Sequence, residues 1–376
     1  MKNLTFEDLR QNLSHLRDIR MDLVMSSKDL SASPQGALIT PEMPSVVTEH
    51  GVGLPRAYWT LTEHALSQVA TKWKIPVRYL RSLRESSAGE FTDLAADILR
   101  THFVADPMDI LVRGLREPDD TSGVIRAVMS SKYAFVEHFD VLTAVFDGLR
   151  LARDQHGIVF EPGVASLSDT HMRARVNMPS LSVVARELLK DYRSPYTGAT
   201  GIDNPNVFLG FEIRNSEVGA GSFMIVPVIV IQVCNNGMTL TKDLFRKRHL
   251  GAKMSEGAIS SRTMKATMEL ISSQTVDYVT EIATPAFLQA QVDELQGLAV
   301  PVQPTLVQEH LVAAYSEVHA NAIFDAFIMS GDITAFGVAQ AMTFVSQSDA
   351  FSADDARVAD DEAITIAGQI AKLALV

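Results

Sequence analysis

Seven lysines and arginines, Lys242, Arg246, Lys247, Arg248, Lys253, Arg262 and Lys265, stand within 24 residues, against only Asp243 and Glu256. With His249 they form the densest cationic stretch of the chain. Cations gathered this closely suit an anion, and a phosphodiester backbone rewards many weak contacts of this kind. The stretch follows an apolar run, Phe223 to Ile231, and the turn Asn235-Asn236-Gly237. Asn and Gly tolerate positive φ, so this turn is either structural only or an anion-binding nest beside the cations. Arg113 and Arg126 are secondary candidates for backbone contact. They lie on a predicted hairpin, and with Arg116, Lys132, Arg173 and Arg175 they have a spacing that would line one open sheet face. The other reading of the same residues is the ordinary polar side of a sheet covered on one face.

Other chemistries lack an anchor. Cys234, the single cysteine, ends a buried strand and is expected to be inert core despite His249 on the next segment. There is no Walker loop, no Gly-x-Gly-x-x-Gly, no His-Glu-x-x-His and no Gly-x-Ser-x-Gly. No catalytic residue, metal or cofactor is expected. The acid groups Asp119-Asp120, Asp354-Asp355 and Asp360-Asp361-Glu362 fall in a turn and at a helix start, where solvated charge is the default. Residues 60–84 read as two short helices around Lys74-Ile75-Pro76, the second carrying Arg78, Arg81 and Arg84. Core packing is the simpler account of them, and a duplex-reading helix pair the sharper one.

The elements that must position these residues follow from periodicity. Leu9, Leu13 and Leu16 mark a helix over 5–20. Residues 26–56 read as loop with short strands at best. Thr60 and Glu63 have capping-box spacing, and further helices are expected near 75–84 and 90–102. Strands follow at 109–113 and 124–129, then an amphipathic helix over 139–153. Strands at 158–166 and 170–178 alternate as an antiparallel pair, and 207–214 with 221–233 make a second hairpin. One long helix is predicted from about 256 to 298, bent at Pro285. Pro301 and Pro304 mark a linker, with helices beyond it at 305–329, 333–347 and 352–374, the last capped by Ser352. The fold class is α+β: an antiparallel sheet, strand-strand-helix then four strands, backed by a long helix, with helical extensions at both ends. The expected division is a mostly helical region 1–105, an α+β core 106–300 and an acidic helical region 301–376.

Composition bounds the class. With 47% hydrophobic and 21% charged residues over 376 positions, the chain is globular. The N-terminus has acids where a secretion signal would need its apolar core, and the longest apolar run is too short to span a bilayer. A protein of the cytoplasm with no membrane contact is expected. The net charge of −12 conceals a polarity. From residue 266 onward there are 15 acids and two bases, whereas residues 1–265 are close to neutral. The total is therefore weak evidence against a local anion site.

The spacing Leu61-Thr62…Ala65-Leu66…Ile75-Pro76…Tyr79-Leu80, Val112-Arg113-Gly114-Leu115…Ile125-Arg126-Ala127-Val128-Met129-Ser130 and Val233-Cys234-Asn235-Asn236-Gly237-Met238…Arg248-His249…Gly251 resembles the phage/plasmid-like family known as domain of unknown function 932. Thr334-Ala335-Phe336-Gly337…Ala341-Met342-Thr343 is similar to that family's C-terminal pattern, and the resemblance spans roughly 55–350. It implies an origin on a mobile element and a bacterial host cell. The strand and helix order is also similar to that of phage single-strand annealing proteins of the RecT and Red-beta type. That analogy implies a cofactor-free, oligomeric protein that binds single-stranded DNA. The acidic C-terminal region would then recruit a protein partner, or shield the groove until DNA competes for it. The alternative expectation is a protein-interaction module, for host takeover or anti-defence, with no nucleic-acid binding. A metal-dependent nuclease would need acids beside the cationic stretch, and the sequence does not place them there.

Overall fold

The computed structural model describes residues 3–32, 37–40, 46–48, 51–53, 57–86, 93–118, 120, 122–133, 135–195, 197–233, 236–239, 245–247, 261–348 and 350–375. Helix α1 (Phe6–Asp18) begins at Thr5. The Thr5 hydroxyl accepts from the Asp8 N–H, and Asp8 accepts from the Thr5 N–H, which is a complete capping box. The chain continues through β1 (Arg20–Ser26), β2 (Ser31–Ala32), β3 (Ala37–Thr40), β4 (Val46–Thr48), β5 (Gly51–Gly53) and β6 (Ala57–Leu61). Three helices follow, α2 (Glu63–Lys72), α3 (Val77–Ser86) and α4 (Asp93–Ala105), then the hairpin β7 (Asp109–Leu115) and β8 (Ser122–Ser130). After α5 (His138–His156) come β9 (Glu161–Leu167), β10 (Met172–Val184), α6 (Arg186–Leu189), β11 (Asn206–Asn215), β12 (Phe223–Ile231), β13 (Asn236–Thr239) and β14 (Phe245–Lys247). The remaining elements are helical: α7 (Ser261–Ile282), α8 (Pro285–Gln296), α9 (Pro304–Ala314), α10 (Glu317–Ser330), α11 (Ala335–Ser346) and α12 (Ala353–Ala374).

The α+β class holds, but the strands divide between two sheets. Sheet one has the order β1-β7-β8-β6-β3-β2 and is antiparallel except where β6 runs parallel to β8. Sheet two has the order β13-β12-β11-β10-β9, with β14 also paired to β12. The single sheet expected from periodicity is corrected because β7 and β8 recruit their neighbours from before residue 62. Of the strands before residue 62, β2 and β3 carry too few residues for alternation to register. Sheet one therefore draws strands from both sides of residue 105.

Sheet one is covered on both faces. Trp59, Leu66, Val69, Leu99 and Phe103 pack with Ile110, Val112, Ile125 and Val128 on one side. On the other, Leu111, Ala127 and Met129 meet Val218 from the turn between β11 and β12. Sheet two shares a large core with helices, in which Met172, Ala174, Val176, Phe211 and Ile213 join Leu9, Val145, Val279 and Leu288. Among the described residues no helix is long and apolar enough to cross a membrane.

Three local expectations move. The cap of α2 is Thr62, whose hydroxyl accepts from the Ala65 N–H, while Thr60 lies within β6. The long helix is interrupted, not bent, at Pro285. Thr284 caps a new helix with Pro285 in its first turn, because proline lacks the N–H needed inside a helix but suits its start. Likewise 305–329 divides into α9 and α10 at Tyr315-Ser316, where Ser316 caps α10.

The α10–α11 connection buries a carboxylate. Gly331 takes the left-handed conformation, and Asp332 follows it, accepting from the Thr334 hydroxyl at 2.6 Å. Burial pushes Asp332 up to about 6, against the pull of that hydroxyl. Raised above its unfolded value of 3.8, this group favours the fold below pH 3.8 and loses that contribution as pH rises through 6. Asp332→Asn keeps the acceptor and removes the charge. It is expected to stabilise the protein by about 3 kcal/mol at pH 7 and by only about 0.5 kcal/mol at pH 4. Urea unfolding at the two pH values measures this, and an equal effect at both would refute it.

Candidate functional site

The turn between β11 and β12 is where the two sheets meet, and buried charge converges on it. Arg113, 2% exposed, donates through Nε to Asp22 at 3.0 Å, through Nη1 to the Glu217 carbonyl at 2.7 Å and through Nη2 to Glu137 at 2.8 Å. Its guanidinium also lies over the Phe135 ring. Arg126 donates to the Glu217 carboxylate at 2.5 Å and to the Asp169 carbonyl at 3.1 Å. The second Glu217 oxygen accepts the His138 N–H at 3.1 Å, and Arg20 joins the cluster through Glu137. Burial lowers His138 to about 4, so its ring is neutral at pH 7. Burial and the neighbouring Glu217 push Glu137 up, while Arg113 pulls it down less strongly. Glu217 goes the other way: burial opposes its ionisation, and His138, Arg126 and a hydrogen bond with Glu137 outweigh that penalty.

Arg113 and Arg126 therefore do not stand on an open sheet face. Both are buried and satisfied by acids that lie far away in sequence, which corrects their assignment as backbone contacts. They share a side only through the bulge where the register shifts between Arg113 and Gly114, since strict alternation would set Arg126 with Val128 on the opposite face, and spacing carried no information on what covers that side.

A second cluster lies on sheet two. The ladder sets Arg173 opposite Arg214 and Arg175 opposite Glu212, so three arginines and one glutamate share a face, while Met172, Ala174 and Val176 take the other. Like charges directly opposite destabilise a strand pair unless acids settle them. Glu212 accepts from Arg173 at 2.8 and 2.9 Å and from Arg214 at 2.5 Å. Helix α12 supplies the remainder: Asp360 accepts from Arg173 at 2.7 Å and from the Ser346 hydroxyl at 2.5 Å, and Asp361 pairs with Arg214. Nearer the start of α12, one Asp354 oxygen accepts from Ser168 and Thr170, both at 2.8 Å, with His171 Nδ1 at 3.3 Å. Burial opposes ionisation of Glu212, yet its arginine partners hold it down at about 2. Asp354 is held well below the usual carboxylate range, partial burial being outweighed by His171, Ser168 and Thr170. Asp354, Asp360 and Asp361 were expected to be solvated with Asp355 and Glu362, which are indeed exposed, and the correction for the first three has a plain cause. The helix they start lies against cationic strands.

The 242–265 stretch is described in part. Lys242, Arg248, His249 and Lys253, together with Cys234 and Asn235, lie outside the described residues. Strand β14 pairs antiparallel with β12, Met224 opposite Arg246 and Phe223 opposite Lys247, which puts both basic residues on the ladder of sheet two. Arg262 and Lys265 are exposed in the first two turns of α7, and neither makes an ion pair among the described residues. Arg81 and Arg84, by contrast, both pair with Glu63 at the start of α2. Those pairings bind α3 to α2 and leave neither arginine free for a duplex.

The residues missed from sequence are Glu137, Glu212 and Glu217. Only one signal for them existed: single acids in segments otherwise poor in charge. The chain matches no family model, no curated protein and no solved structure.

Proposed function

We propose that the chain is a phage- or plasmid-encoded nucleic-acid-binding protein that anneals single-stranded DNA as an oligomer and without a cofactor. The observation that carries this reading is the contrast among its cations. Arg113, Arg126, Arg173 and Arg214 are spent on internal acids, whereas Arg262 and Lys265 stand exposed without ion pairs among the described residues. They open a helix whose first turn holds no acid and whose N-terminal dipole favours anions. Arg246 and Lys247 belong to the same segment, and with Lys242, Arg248, His249 and Lys253 they complete the cationic stretch.

A salt titration of fluorescent oligonucleotide binding tests the reading. Affinity should fall steadily with salt, and Arg262→Gln with Lys265→Gln should reduce the slope of log affinity against log salt by about 1.4, at about 0.7 per phosphate contact. No binding at low salt would sink the proposal. An unchanged slope would move the contacts off α7.

A protein-interaction module is the second reading, and α10 favours it by leaving Val318 and Met329 exposed at 71% and 64%. It predicts a protein partner and no oligonucleotide affinity. The inward-facing acids of α12 count against their serving as the contact surface.

A further inference from the structure

A shallow cleft of about 490 Å³ opens between α2, the C-terminal end of β8 and the β11–β12 turn. No aspartate or glutamate is among its described lining residues, although the chain carries a net charge of −12. Helix α2 presents His64, Gln68, Thr71 and Lys72 to it, at the spacing that shares one helix face. Gln68 builds the floor: its amide nitrogen donates to the Val218 carbonyl at 2.9 Å, and its oxygen accepts the Val128 N–H at 2.7 Å. His64 Nε2 lies 2.9 Å from the same carbonyl and 2.9 Å from the Gln68 amide nitrogen, so it donates to the first or accepts from the second according to its tautomer. The cleft thus joins the two sheets through a hydrogen-bonded base.

Two groups on its wall point to an anion. Lys72 is half-buried and makes no ion pair among the described residues, and its burial lowers its pKa. An ammonium placed this way costs solvation that no acid among the described residues repays. The second group is the backbone of Ser130. The Val128 N–H faces α2, and the Ser131 N–H faces β7 through the Asp109 carbonyl. Ladder alternation therefore turns the Ser130 N–H toward α2 and the cleft. The Ser130 hydroxyl lies beside it, and Met129 and Tyr133 supply a soft, partly aromatic wall.

We propose that this cleft binds a small phosphate monoester, its phosphoryl oxygens on the Lys72 ammonium and the Ser130 N–H and hydroxyl, its apolar body against Met129 and Tyr133. None of these residues belongs to the 242–265 stretch, so the site stands apart from the nucleic-acid reading. The probe is phenyl phosphate, titrated into the full chain by calorimetry and by amide NMR. Saturable binding is expected, with the Ser130 amide resonance moving along the same isotherm. Lys72→Met should weaken it by about tenfold or more, since a charge-assisted hydrogen bond of about 1.5–3 kcal/mol is lost. Lys74→Met, on the adjacent turn, should leave it unchanged. No saturable binding would overturn the proposal, as would equal affinity in Lys72→Met. A Ser130 amide that stays still while phenyl phosphate binds would also overturn it, and that readout needs no variant to fold.

Discussion

Glu217→Gln is expected to lower the unfolding free energy by about 3–5 kcal/mol, a large share of the 5–15 kcal/mol that holds a typical domain together. The carboxylate is 5% exposed and serves Arg126 with one oxygen and the His138 N–H with the other. Glutamine keeps the volume and one acceptor, but it leaves the Arg126 guanidinium buried without a countercharge. Arg113 suffers less, because Asp22 and Glu137 remain. The pH dependence has a definite sign. Glu217 ionises more readily in the fold than at its unfolded value of 4.5, so its contribution is complete above 4.5 and is lost as pH falls below it. The variant should therefore be most destabilised near pH 7, with the difference shrinking toward acid. Combining it with Arg126→Met should restore part of the loss, since the pair is removed together. A cost below about 1 kcal/mol at pH 7 would mean that water reaches Arg126 and the seam between the sheets is not dry.

Gly123→Ala is expected to cost about 3 kcal/mol for a different reason, steric overpacking. The register sets Trp59 beside Gly123 in the parallel pair, and the indole lies across both Gly123 and Gly114. A Cβ on Gly114 would sit 2.7 Å from the ring, and one on Gly123 closer still, with the Leu115 carbonyl oxygen at 2.8 Å. Trp59 is 2% exposed and has nowhere to move. Gly368 in α12 is the control: nothing lies within 4 Å of its Cβ position, so alanine there should stabilise by about 0.5–1 kcal/mol. Urea midpoints compare the two directly. A tolerated Gly123→Ala would show that the indole is not seated over the glycines.

What was legible in the sequence was local. Ser352 as the cap of α12, the alternation of Arg173 and Arg175 against Met172, Ala174 and Val176, and the hairpin around the 219–221 turn all follow from spacings of a few residues. The errors are tertiary. Thr60 and Thr62 both precede an apolar stripe at plausible cap distance, and only the pairing of β6 with β8 takes Thr60 into a strand. Pro285 permits either a kink or a fresh start, and Thr284 as a cap decides it. The division into two sheets depends on which strands find each other. The candidate site was read least well, because an arginine on a strand looks the same whether water or a glutamate from 91 positions away faces it.

The pairing of sheet two with α12 also sets an order in time. Arg173 meets Asp360 across 187 positions, Arg214 meets Asp361 across 147, and Ser168 meets Asp354 across 186. On a growing chain the strands are made long before their distant counterions, so nascent sheet two carries a basic face neutralised only by Glu212. Contacts of such separation form slowly because loop closure precedes their reward. During that interval the exposed guanidinium groups would attract any polyanion nearby, including the ribosomal and messenger RNA of the synthesis machinery. Arrival of α12 ends the interval, and its acids act as the chain's own folding partner.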